Sequence, residues 1–198
     1  MFTARRTTQA VVFLAATYLV LLSSSVLAKD SKPKEIASPS PGEREQNFVR
    51  QMSGNYTVEM TAKGPDGSAL TANGVMNVEP LPNVPAGARS SMSMTMANGE
   101  KYDEYDLVGF QGGDRTMHLL SVTCEPVAHD HIITIKDNND FTLRWQGKEN
   151  GKPSQEDVTG HWTSSNELRM EQVNTTDGKQ VATATIICRR TDQAMNGR

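Results

Sequence analysis

From Gly54 to Arg190 the chain is a succession of short runs in which apolar and polar side chains alternate, each closed by a turn signal. Strict alternation puts successive side chains on opposite faces of a strand and does not fit the roughly 3.6-residue period of a helix. Ten runs can be drawn: Asn55 to Ala62, Ala69 to Val78, Arg89 to Met96, Tyr102 to Phe110, Thr116 to Cys124, His129 to Ile135, Phe141 to Gln146, Glu156 to Thr163, Leu168 to Val173 and Val181 to Arg189. The breaks include Pro65-Asp66-Gly67, the proline-rich stretch from Pro80 to Pro85, Asn98-Gly99, Glu149-Asn150-Gly151 and Thr176-Asp177-Gly178. Such breaks are turn chemistry, and proline cannot sit in a central strand. Strands joined by hairpin-length connections make an up-and-down meander, and a long meander removes its free edges by closing on itself. The expected fold is all-β: a domain over residues 43–191 built on an antiparallel up-and-down β-barrel of about ten strands. A short N-terminal helix precedes it at Glu43 to Met52, where Phe48, Val49 and Met52 recur at helical spacing. Phe141, Leu143 and Trp145, set against Thr142 and Arg144, predict one core face and one solvent face.

The segment before the barrel sets the expected compartment. Residues 1–28 read as a signal peptide, with Arg5 and Arg6, an uncharged apolar run from Ala10 to Leu22, and Val26-Leu27-Ala28 at the cleavage position. The alternative is an uncleaved anchor. Cleavage predicts a secreted or periplasmic product whose formal charge moves from -3 to -5. Such an acidic chain lacks the basic stripe that nucleic acid requires, and after the signal no apolar run is long enough for a membrane span. Residues 29–42 carry three prolines and few apolar groups and are expected to be a disordered linker, with 192–198 a flexible tail. Two cysteines follow the signal. In an oxidising compartment Cys124 and Cys188 are expected to form a disulfide, worth about 4 kcal/mol through loop entropy; the alternative is two buried thiols.

A resemblance adds to this reading. A helix leading into Ser53-Gly54-Asn55-Tyr56-Thr57-Val58-Glu59, and a last strand ending at Arg189 and Arg190, resemble uncharacterised bacterial secreted proteins with a lipocalin-like (calycin or nitrobindin-like) barrel. Those families begin their first strand with Gly-x-Trp; Tyr56 stands in the tryptophan position here. The resemblance implies that Arg189 or Arg190 packs over Tyr56. Nitrobindin-like barrels hold heme through a late histidine. The last histidine here is His161, outside the final two strands, so no heme is expected and His161 is read as a hydrogen-bonded barrel residue.

Three functional readings follow. In the first, the barrel encloses a small apolar or amphipathic ligand. Met92, Met94, Met96, Leu143, Trp145 and Trp162 would line or cap the cavity, with His118 or Arg144 as a polar handle. In the second, the three methionines on one strand face join the His129-x-His131 pair in a copper or other metal site, because soft thioethers and imidazoles select such ions. In the third, side chains fill the barrel and the domain is a structural, envelope-associated one. Enzymatic activity is not expected. The sequence contains no Gly-x-Ser-x-Gly, His-Glu-x-x-His or P-loop, and Asp103, Glu104 and Asp106 read as a solvated edge. Asn55-Tyr56-Thr57 and Asn174-Thr175-Thr176 match the glycosylation pattern.

Overall fold

The structure, a computed structural model, describes residues 41–124, 128–137 and 139–191. The expected signal, the linker up to residue 40 and the tail at 192–198 lie outside these residues. The helix α1 spans Glu43–Met52. The strands are β1 (Gly54–Lys63), β2 (Ala69–Pro80), β3 (Ala88–Met96), β4 (Lys101–Gln111), β5 (Thr116–Thr123), β6 (Ala128–Ile135), β7 (Asp140–Glu149), β8 (Lys152–Ser164), β9 (Glu167–Thr176) and β10 (Lys179–Arg190). Each strand pairs antiparallel with its neighbour in sequence, and β1 pairs with β10 from Tyr56↔Arg190 to Lys63↔Thr183. The sheet is therefore a closed barrel, the fold its alternation predicts.

The helix forms where expected. Glu43 and Glu45 sit in its first turn and Arg50 in its last, complementing the helix dipole. Ser53 ends it, donating from both its backbone N–H (3.1 Å) and its hydroxyl (2.7 Å) to the Val49 carbonyl. So short a helix needs a partner. It buries Phe48 and Val49, and the Phe48 ring meets Phe141 edge-on at 5.1 Å between centroids. Phe141 can lie low in the barrel because Gly160, its cross-strand partner, has no side chain: a Cβ there would stand 2.2 Å from the ring.

A second cluster locks this end of the barrel. Arg190 donates to the Ser53 carbonyl at 2.5 Å and the Gln51 carbonyl at 2.6 Å. Its guanidinium also lies 5.2 Å from the centre of the Tyr56 ring and 5.7 Å from that of Trp162. The Tyr56 hydroxyl donates to the Met52 carbonyl at 2.7 Å. One arginine thus ties the last strand to the helix and to the first-strand aromatic. Arg189, one residue earlier, points outward to Glu59 (2.7 Å) and Glu167 (3.0 Å).

The expected disulfide is not formed. Both thiols are free, Cys124 exposed and Cys188 fully buried. Around the barrel β10 and β5 are five strands apart in either direction, so the two residues stand on opposite walls. They also lie at opposite ends, since Cys188 is two residues from Arg190 while Cys124 follows the far end of β5. Burial pushes the Cys188 thiol up to about 12, which leaves it a packing group.

Two outcomes follow. Alkylation of the folded protein modifies Cys124 alone, and Cys188 reacts only after unfolding without reductant; a mass two hydrogens light would overturn the finding of two free thiols. Arg190→Ala lowers unfolding free energy in urea by about 3–4 kcal/mol, the low end of what two charge-assisted hydrogen bonds and a cation–π contact contribute, and Arg190→Lys recovers only part of it.

Candidate functional site

Closure gives every strand an inner and an outer face. The inner faces and α1 enclose a cavity of about 430 Å³. Side chains therefore do not fill the barrel. The helix floor and the β1–β2–β10 wall present almost entirely apolar groups, among them Met52, Met60, Met76, Val78, Ala184 and Ile186. Met92, Met94 and Met96 continue this surface along β3, and Leu143 faces them from β7. Met94 is buried; the other two methionines and Leu143 are partly so.

The strands from β3 to β8 add polar groups to an inner face that also carries Val108, Leu119, Ile133, Phe141 and Val158. Ser90, Asp106, Ser121 and His129 form one continuous cross-strand row over β3, β4, β5 and β6. Glu104 sits one inward position from Asp106, and Glu156 enters from β8. Among the described lining residues there is neither lysine nor arginine. Hydroxyls take the place of cationic partners. Ser90 donates to Asp106. Ser121 donates to Glu104 at 2.9 Å and Tyr102 to its other oxygen at 2.6 Å. Burial, and secondarily the charge on Glu104, pushes the Asp106 carboxyl up to about 7, with the Ser90 hydrogen bond opposing the rise. Burial and the same carboxylates hold the Tyr102 phenol far above its ordinary value.

The histidines complete this wall. His131 is almost fully buried, and its Nε2 lies 3.1 Å from Glu156 Oε1. His129 Nδ1 is 3.7 Å from the other Glu156 oxygen, and its Nε2 is 3.3 Å from Glu149 but outside hydrogen-bond geometry. Trp145 stacks on the His129 ring, 3.9 Å between centroids and 20° between planes. Gly147 makes that placement possible, since a Cβ there would be 2.4 Å from the indole. Asp106 Oδ1, His129 Nε2 and His131 Nδ1 are buried with no hydrogen-bond partner in the protein. Orphans of this kind cost about 1–3 kcal/mol each and mark where a bound group gains most.

Several sequence expectations change. Trp162 belongs to the closed end with Tyr56 and Arg190, and Trp145 stands behind His129; neither is part of the cavity wall. The proposed handles face outward: His118 bonds Asp130 at 2.9 Å and Thr116 at 2.7 Å, and Arg144 bonds Asp157 at 2.6 Å. His161 is also on the outside, 2.5 Å from Asp140. Asp103, Glu104 and Asp106 are not one solvated edge. Asp103 accepts from Ser93 outside at 2.6 Å, while Glu104 and Asp106 point inward. Glu156, the carboxylate that meets both histidines, gave no signal except an inward position on its strand. Asn174, in the second glycosylation pattern, also lines the cavity.

The chain matches no protein-family model and no curated protein sequence. Among solved structures it is similar to an S-type phycobiliprotein lyase from Guillardia theta, with TM-score 0.54 and 12% identity over 75% of this chain and 93% of that one. A redesigned β-barrel bound to DFHBI is also similar, with TM-score 0.40 and 12% identity over 72% of this chain and 97% of that one. The first likeness shows the barrel fold and stops there.

The raised Asp106 carboxyl has a measurable consequence. Folded Asp106 keeps its proton up to about pH 7, whereas the unfolded residue loses it near the ordinary aspartate value. Its contribution therefore falls as pH rises between those values. Asp106→Asn removes that loss, so the variant gains on the order of 4 kcal/mol over wild type at pH 8, a gain absent near pH 3, in parallel urea titrations. A difference independent of pH would contradict a proton held inside the barrel.

Proposed function

We propose that this chain is an exported binding protein whose barrel holds one small amphipathic molecule with a positively charged head. The observation that supports this most directly is the lopsided chemistry of the cavity. Apolar groups from α1, β1, β2, β10 and the methionines of β3 offer one surface, and Glu104, Asp106 and Glu156 offer the other, with no lysine or arginine among the described lining residues. A volume of about 430 Å³ falls within the range of pockets for small organic ligands. Methionine suits such a wall because its thioether adapts to the shape it meets. An ammonium or amidinium head satisfies the unpartnered Asp106 oxygen and offsets the unbalanced interior charge. The carboxylates act as fixed acceptors, and the reading is of binding without turnover. Export rests on the signal pattern at residues 1–28, which supports a secreted or periplasmic site of action.

Displacement of a fluorescent apolar probe by dodecylamine and by dodecanoate tests this. The amine displaces at concentrations about tenfold lower or more, a preference of roughly 1.4 kcal/mol. Its affinity rises as pH passes through about 7, because Asp106 then ionises while the amine stays charged. Met92→Trp, which fills the lumen, abolishes probe binding in a variant with an unchanged circular dichroism spectrum. Equal displacement by amine and acid would remove the cationic head from the proposal, and probe binding untouched by Met92→Trp would remove the lumen.

A further inference from the structure

We infer that His129, His131 and Glu156 form a site for one divalent cation of borderline softness, of the zinc or copper(II) class, opening onto the barrel lumen. This goes beyond the organic-ligand reading and does not depend on it. One donor atom from each of the three residues lies within 4.8 Å of the other two. Tetrahedral zinc, with ligands about 2.0–2.2 Å away, places its donors roughly 3.3 Å apart. Glu156 already spans most of that geometry, with one oxygen 3.1 Å from His131 Nε2 and the other 3.7 Å from His129 Nδ1. Drawing the two imidazoles slightly closer completes it.

The fold positions all three. His129 and His131 are two apart on β6, so alternation sends both inward. Glu156 reaches across from β8, the second strand over. The intervening inward residue of β7, Trp145, leans over Gly147 and stacks on His129, which leaves the crossing open and fixes the plane of that imidazole. Burial is the second, independent pointer. His131 is only 3% exposed and His129 is half-buried, so the nitrogens that face Glu156, His131 Nε2 and His129 Nδ1, are screened from bulk water.

The donor set selects the ion. Two imidazoles and a carboxylate suit zinc or copper(II), whereas thioether-rich sites take copper(I). The methionines of β3 are three strands away from the histidines, on another part of the wall. Glu149, 3.3 Å from His129 Nε2, adds negative charge on the same side. Three protein donors leave a coordination position directed at the lumen.

The test uses the mature chain, stripped with a chelator and titrated with zinc by calorimetry. One ion binds per protein, and Glu156→Gln or His131→Gln weakens binding about tenfold or more, a difference of roughly 1.4 kcal/mol. Outward-facing His118→Gln and His161→Gln leave it unchanged. Should His131→Gln fail to fold, the half-buried Glu156→Gln carries the test. Copper(II) gives a second readout: it quenches Trp145, so quenching persists in Trp162→Phe and disappears in Trp145→Phe. No saturable zinc binding would overturn the site. So would binding that survives Glu156→Gln, or binding abolished by His118→Gln, which would place the ion on the outer surface.

Discussion

The backbone ladder between β1 and β10 is the constraint from which the rest follows. Eight residue pairs, from Tyr56↔Arg190 to Lys63↔Thr183, convert a ten-strand meander with two raw edges into a tube. Before that pairing the chain has two faces of a sheet; after it, an inside and an outside. The ladder also fixes which residue of every alternating pair is interior. Arg190, at the end of the same ladder, then binds the helix C-terminus to the tube, and Phe48 and Val49 are driven in as its floor.

What the closed tube contains is unusual for a core. Carboxylates are normally buried beside arginine or lysine, and here the described lining residues include neither. Hydroxyls of Ser90, Ser121 and Tyr102 supply the hydrogen bonds, and Asp106 reduces the charge by holding a proton. A domain selected for stability alone would do better with leucine at those positions. Three of the buried polar atoms left without a hydrogen-bond partner, Asp106 Oδ1, His129 Nε2 and His131 Nδ1, lie on that same polar wall.

The strands were legible in the sequence because period-two alternation and turn residues are local signals, and each of the ten runs overlaps an observed strand. The helix was legible from the spacing of Phe48, Val49 and Met52. Interior chemistry was harder to see. Parity alone tells which residues share a face, and it puts Asp103 opposite Glu104 and Asp106. Which of those two faces is inside depends on registry with β3 and β5, a tertiary fact. Acidic residues are solvated on average, and average behaviour fails at a polar lumen. Alternation puts Trp145 on the inward face where it would line or cap the cavity, yet Gly147 lets it fold back against His129. The cysteines show a different limit: an even number in an exported chain favours pairing, but only the strand order reveals that opposite walls hold them.

The connectivity has a consequence for how the molecule comes into being. All neighbour pairings but one join strands adjacent in the chain, so nine hairpins can zip locally and in any order. The remaining pairing joins segments more than a hundred residues apart and carries most of the loop-closure entropy. Until β10 docks, the methionines, carboxylates and histidines lie on an open, curved sheet facing water, and no enclosed volume exists. The enclosed volume is therefore created by one long-range closure rather than accumulated strand by strand. A molecule that prefers the enclosed state acts as a thermodynamic clasp on that final seam.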